Sequence, residues 1–151
     1  MNIGIQEGSA IELQVEEPAE WILLQALIRD AEGELADELG ELMQEDELWE
    51  ELVVPELSDY FSSQRKLVRD LIGRAHREAG GGQGNLLLDA ENGGIWYAVL
   101  NQAQLALEAR FQFGPREDVN EAALGEEAAQ AFARRQFYGF LQELLLQHVM
   151  A

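Results

Sequence analysis

Residues 92–113, NGGIWYAVLNQAQLALEARFQF, decide how this chain folds. No charged residue occurs from Asn92 through Leu107, in a chain whose formal net charge is -19. Ile95, Trp96, Val99, Leu100, Ala103, Ala106, Leu107 and Phe111 recur at three- and four-residue intervals, the period of a helix. Ala98 and Leu105 extend the apolar character around the cylinder, and a helix apolar most of the way round belongs inside a domain. A bilayer needs about 20 apolar residues, and Asn101, Gln102 and Gln104 interrupt this run. It reads as a central core helix.

Working outward, Asn2 to Val15 reads as a hairpin. Ile3 and Ile5, then Ile11, Leu13 and Val15, alternate with polar residues around a Glu7-Gly8-Ser9 turn. Pro18 with acids before it marks a helix start. Trp21, Leu24, Leu27 and Ile28 give that helix its buried stripe, ending near Gly33. Helical spacing continues through Leu35, Leu39, Leu42 and Met43, and a short acidic helix from Glu45 is expected to stop before Pro55. The next helix runs from Glu56 to about Ala79, with Tyr60, Phe61, Gln64, Val68 and Ile72 along one side. Gly80 to Gly84 reads as a flexible loop, and Leu86-Leu87-Leu88 as a third strand pairing with the hairpin. Asp89 stands where a cap for the central helix is wanted, and that helix is expected to stop at Gly114-Pro115. The last helix, from Glu126 to about Val149, is expected to bury Phe132, Phe137, Phe140, Leu141, Leu144 and Leu145. The fold class is therefore α+β, mostly helical, in a single domain over residues 1–151, with a small antiparallel sheet.

Charge is segregated along the chain. Residues 1–60 hold 18 acids against one arginine, a balance of -17, and residues 61–151 hold 11 acids against nine bases. Asp30 to Asp59 contains 13 acids and no base. Such a surface repels phosphate backbones and anionic membranes, so neither nucleic acid nor membrane is an expected partner. The helix from Glu56 carries Arg65, Lys66, Arg69, Arg74 and Arg77, half of the ten bases in the chain. Two readings follow. The basic stripe packs beside the acidic segment, or the segment docks a basic partner protein through Glu45, Glu47, Glu50 and Glu51, with Trp49 as an aromatic anchor.

Catalytic signatures are scarce. The chain has no cysteine and no threonine, which removes thiolate chemistry. His76 and His148 lack helix-borne partners at metal-ligand spacing, so no metal or cofactor is expected. The glycine loop lacks the Lys-Ser/Thr of a phosphate cradle and precedes a strand. Asp89 to Leu100 begins like a calcium loop but puts leucine where a bidentate glutamate is required. Met1-Asn-Ile-Gly lacks the basic start and apolar run of a signal peptide, so the expected location is the cytoplasm.

The stretch LLLDAENGGIWYAVLNQAQLALEAR, residues 86–110, resembles the C-terminal part of an uncharacterised family of acidic bacterial proteins, a domain of unknown function. The resembling features are the short apolar strand, Asp89 and Glu91 at a helix start, then Trp96, Leu100-Asn101, Leu105 and Leu107. Gly93-Gly94 depart from the pattern, and the likeness stops short of Ala122. No activity is established for that family, so the resemblance implies no catalytic residue. The frequent neighbourhood of its genes to a protease adaptor implies a link to protein quality control.

The expected function is protein interaction, as an adaptor or small chaperone using the acidic face. A nucleic-acid mimic occupying a basic protein groove is the alternative, followed by an enzyme using carboxylates and Arg110 in a pocket beside the central helix. The aromatic group Phe132, Phe137, Tyr138 and Phe140 exceeds what one core needs, which would favour a homodimer.

Overall fold

A computed structural model describes residues 1–32 and 54–150. The alternation read at the N-terminus forms β1 (Asn2–Gln6) and β2 (Ala10–Val15), paired antiparallel with Ile3 opposite Leu13 and Ile5 opposite Ile11. The strand β3 (Gly84–Leu88) pairs antiparallel with β2 on its other side, giving the order β1-β2-β3. Ile11, Leu13, Val15, Leu86 and Leu88 are buried on one face of this sheet, as the two-residue period demands.

Helix α1 (Pro18–Ala31) starts where proline and acids placed it. The Glu20 carboxylate reaches back to the backbone N–H of Glu16 at 2.8 Å and of Glu17 at 3.4 Å, satisfying donors that a helix start leaves free. Its buried residues include Trp21, Leu24, Leu27, Ile28 and Ala31. Helix α2 (Val54–Glu78) contains Pro55. The expected helical turns from Leu35 to Val53 lie outside the described residues.

Helix α3 (Gly93–Phe111) is the central element: it packs against α1, α2 and the last helix, α4 (Glu126–His148). Trp96, Val99, Leu100 and Ala103 are fully enclosed, while Leu105 faces solvent. Asp89 does not cap it. Its carboxylate accepts the N–H of Glu91 (2.9 Å) and Asn92 (3.0 Å), tightening the turn ahead of the helix, and Asn92 is the N-cap. The helix stops earlier than Gly114, at Gln112, which takes a left-handed conformation with φ 53°. Two 3-10 turns, Arg116–Asp118 and Glu121–Ala123, lead into α4.

In α4 the aromatic expectations are partly reversed. Phe140 is 50% exposed, whereas Tyr138 is completely buried with Phe132, Leu141 and Leu145. The buried positions Ala131, Tyr138, Leu141 and Leu145 lie on one side of the cylinder, and Phe140 points away from it.

Two glycines are explained by close approach. A Cβ at Gly93 would stand 2.7 Å from Cγ1 of Val149, where the end of α4 closes over the start of α3. One at Gly84 would stand 2.7 Å from the Ala79 Cβ and 3.0 Å from the Trp21 ring. That ring also pins the glycine loop: Trp21 Nε1 donates to the Gly82 carbonyl at 2.7 Å, and His76 meets it edge-on at 5.3 Å between centroids. The loop read as flexible is thus tied to the core at its far end.

Where α2 meets α3, the amide of Gln102 donates to Gln64 Oε1 at 2.7 Å, and Arg65 Nη1 donates to Gln102 Oε1 at 3.3 Å. Both glutamines are buried. Gln102→Ala strands the Gln64 amide and is expected to cost about 1–3 kcal/mol in chemical denaturation, whereas Gln64→Leu with Gln102→Leu should recover most of that loss. Gly93→Ala is expected to cost about 1–3 kcal/mol by the same measurement, because Val149 must give way.

Candidate functional site

The residues singled out for partner binding, Glu45, Glu47, Trp49, Glu50 and Glu51, all lie outside the described residues. Among the described residues, a cleft of about 540 Å³ lies beside α3, between the end of α1 and the first half of α4. Arg110, the arginine expected beside the central helix, lines it together with Arg29, Asp30, Glu127 and Arg134.

At its base the cleft has an ordered hydrogen-bond cluster. Arg134 forks onto Asp30, with Nε to Oδ2 at 2.7 Å and Nη2 to Oδ1 at 3.2 Å, and the Tyr138 hydroxyl donates to Oδ2 at 2.5 Å. The Asp30 side chain is 5% exposed and that of Arg134 19%. A planar guanidinium matching both carboxylate oxygens is the strong form of this pair. The hydrogen bond to Asp30, the largest influence, raises the Arg134 pKa against the opposing effect of burial. Burial first, then the bond to Asp30, pushes the Tyr138 phenol far above its usual range.

This arrangement fastens α1 to α4 and is not arranged for proton transfer. Three donor contacts occupy Asp30, Tyr138 is held neutral, and an arginine does not exchange its proton at ordinary pH. At the rim Arg110 pairs with Glu127 at 2.6 Å, with both side chains exposed, and such a pair is weak. The cleft offers a polar surface with cations and carboxylates interleaved. Among the described residues, no group of three or more His, Asp or Glu side chains is placed to hold a metal ion.

A second cluster closes the far end of α3. Arg135 pairs with Glu108 and lies over the rings of Phe113 and Phe132, 5.1 and 5.2 Å from their centroids. Glu108 in turn accepts the Gly114 N–H at 2.8 Å. The basic stripe of α2 divides: Arg65 turns inward to Gln102 and to the Ala31 carbonyl, while Lys66, Arg69, Arg74 and Arg77 are exposed. None of these four pairs with a described carboxylate.

Sequence reading missed the Asp30–Arg134–Tyr138 cluster, whose members stand 104 and 108 residues apart. One signal was present: Ala131, Arg134, Tyr138, Leu141 and Leu145 repeat at intervals of three, four, three and four, which puts Arg134 on the buried side of α4.

These features define a small α+β domain whose sheet and four described helices enclose one apolar core and leave a polar cleft on the surface. The chain belongs to the family described as Domain of unknown function (DUF2017), which matches residues 5–149. The match therefore includes the end of β1, all of β2 and the whole of α4, well beyond the stretch that carried the resemblance. No curated protein and no solved structure matches the chain.

The raised Tyr138 pKa sets an alkaline limit. The unfolded chain releases this proton near 10.0 and the folded chain only at higher pH. Protons are then bound preferentially by the folded state, so this contribution is complete below that value and is lost as pH rises above it. Tyr138→Phe is expected to lose about 1 kcal/mol at neutral pH and to flatten the decline in denaturant midpoint between about pH 10 and 11. An unchanged alkaline slope in the variant would exclude Tyr138 as its source.

Proposed function

We propose that this protein is an interaction module, an adaptor or small chaperone, which binds a basic partner protein through the acidic stretch between Asp30 and Asp59. Glu45, Glu47, Glu50 and Glu51 supply the charge and Trp49 the apolar anchor. The reading is carried by the imbalance of charge. If Arg29 and all five bases of α2 paired with acids of residues 1–60, beside Arg134 on Asp30 and the N-terminal ammonium on Glu20, ten of the 18 acids would still have no cation. Two of the other bases, Arg110 and Arg135, are engaged by Glu127 and Glu108, which belong to the other half of the chain. The acidic excess must face water or a partner, and a basic partner gains from it by steering and by neutralisation.

A cytoplasmic setting accompanies this reading. Among the described residues, no helix is long and apolar enough to cross a membrane. Self-association through α4 would have to use Phe140 and Leu146, the large apolar residues of that helix that stand exposed.

The test is capture from a native cytoplasm at low salt, followed by a salt step and identification of what elutes. A stoichiometric basic protein is expected, with affinity falling on the order of tenfold when the four glutamates become glutamines, since each exposed pair contributes little by itself. Release of that protein by competing DNA would mark the acids as a phosphate mimic. Capture that is unaffected by the four substitutions would overturn the assignment.

A further inference from the structure

A second surface offers binding of a different kind, at the edge of the sheet. Strand β1 ends the order β1-β2-β3. Beyond its pairing with β2, no backbone group of Asn2–Gln6 bonds to another described backbone group. The opposite edge is partly closed: the Leu87 carbonyl accepts Asn92 Nδ2 at 3.2 Å, and the Asp89 N–H is taken by Asn92 Oδ1 at 2.9 Å. Sheet edges are commonly guarded by proline, lysine or a bulge. β1 contains neither residue, and its five pairs run in unbroken register.

Both faces of β1 bear on what could join it. On the inner face Ile5 stands opposite the fully enclosed Ile11 yet is itself 57% exposed, so the apolar layer continues past the part that is covered. On the outer face Gly4 stands opposite Glu12, and a Cβ at Gly4 would meet nothing within 4 Å. Gln6 and Gln14 both donate to the Glu12 carboxylate, and Asn2 donates to Glu16 at 2.6 Å. The glycine leaves a notch across which a long side chain from an added strand can reach Glu12. Two strand spacings are about 10 Å, within the combined reach of a lysine and a glutamate. Residues 1–28 contain five acids and no base.

We propose that the open edge of β1 accepts an extended basic segment of a partner protein as a fourth antiparallel or parallel strand. Its backbone bonds to β1, an apolar side chain covers Ile5, and a lysine or arginine next to it in sequence, on the opposite face, crosses the Gly4 notch to Glu12. Backbone pairing supplies affinity, and the alternating side chains supply selectivity. A second copy of this chain is the wrong occupant, because it would set the same acids beside Glu7, Glu12 and Glu16. The inference shares its class of partner with the function proposed above but uses a surface remote in sequence from Glu45 to Glu51.

The experiment uses the full-length, isotope-labelled protein and a capped hexapeptide of alternating lysine and valine, with an alternating glutamate and valine peptide as control. Amide shifts and hydrogen exchange are followed residue by residue. To separate the two surfaces, the titration is repeated in the variant carrying Glu45→Gln, Glu47→Gln, Glu50→Gln and Glu51→Gln. The lysine peptide is expected to shift and protect amides of Asn2–Gln6 equally in both proteins, while the glutamate peptide has no effect there. Ile5→Lys, at a position already exposed, should weaken that response about tenfold, and Glu12→Gln about threefold with reduced salt dependence. Three results would overturn the proposal: β1 amides unmoved by the lysine peptide, equal protection by the glutamate peptide, or β1 protection that needs no peptide and grows with protein concentration.

Discussion

The enclosure of the central helix is the constraint that the rest of the structure serves. Trp96, Val99, Leu100 and Ala103 of α3 are removed completely from water, and no single neighbour can accomplish that for a helix apolar around so much of its circumference. Three helices pack around it, and each brings a matching stripe: Leu24, Leu27 and Ala31 from α1, Val68 and Ile72 from α2, Tyr138, Leu141 and Leu145 from α4. The sheet joins the same apolar cluster through Ile11, Leu13 and Leu88. Burying a leucine-sized side chain contributes about 2 kcal/mol, so the helix is held by many modest terms and no single dominant one.

That enclosure governs where polar groups are placed. Gln102 lies on the buried circumference of α3 and is tolerated only because Gln64 and Arg65 meet it. Asp30 lies in the last turn of α1, where a lone carboxylate would be costly, and Arg134 and Tyr138 converge on it from α4. The Trp96 indole N–H has no hydrogen-bond partner among the described residues, a cost accepted where the ring fills the centre of the core. Breaking any of these sets on one side leaves the other side buried and unpaired, which is why single substitutions should be harsher than double ones.

The surface has a different logic. Positive charge is spent in pairs near the helix ends, as with Arg135 on Glu108, or displayed along α2, while negative charge is concentrated in the first 60 residues. A field so divided favours association with cations of another molecule. The β1 edge lies within the same acidic half.

Much of this was determined by sequence alone: the hairpin with its Glu7-Gly8-Ser9 turn, the third strand, the start of α1, the central helix and the course of α4. Periods of two and of three to four are properties of neighbouring residues, so they survive without knowledge of the fold. Charge segregation and membership of a family with no assigned activity were legible for the same reason. Only the tertiary structure decided that Tyr138 goes inside and Phe140 outside, since a two-residue difference around a helix cannot be oriented until its partner is known. Only it joined Asp30 to Arg134 and Tyr138 across more than 100 residues, or showed that Gly93 makes room for Val149. Those contacts belong to no local stretch of chain; they exist because packing around one buried helix brings distant residues to the same place.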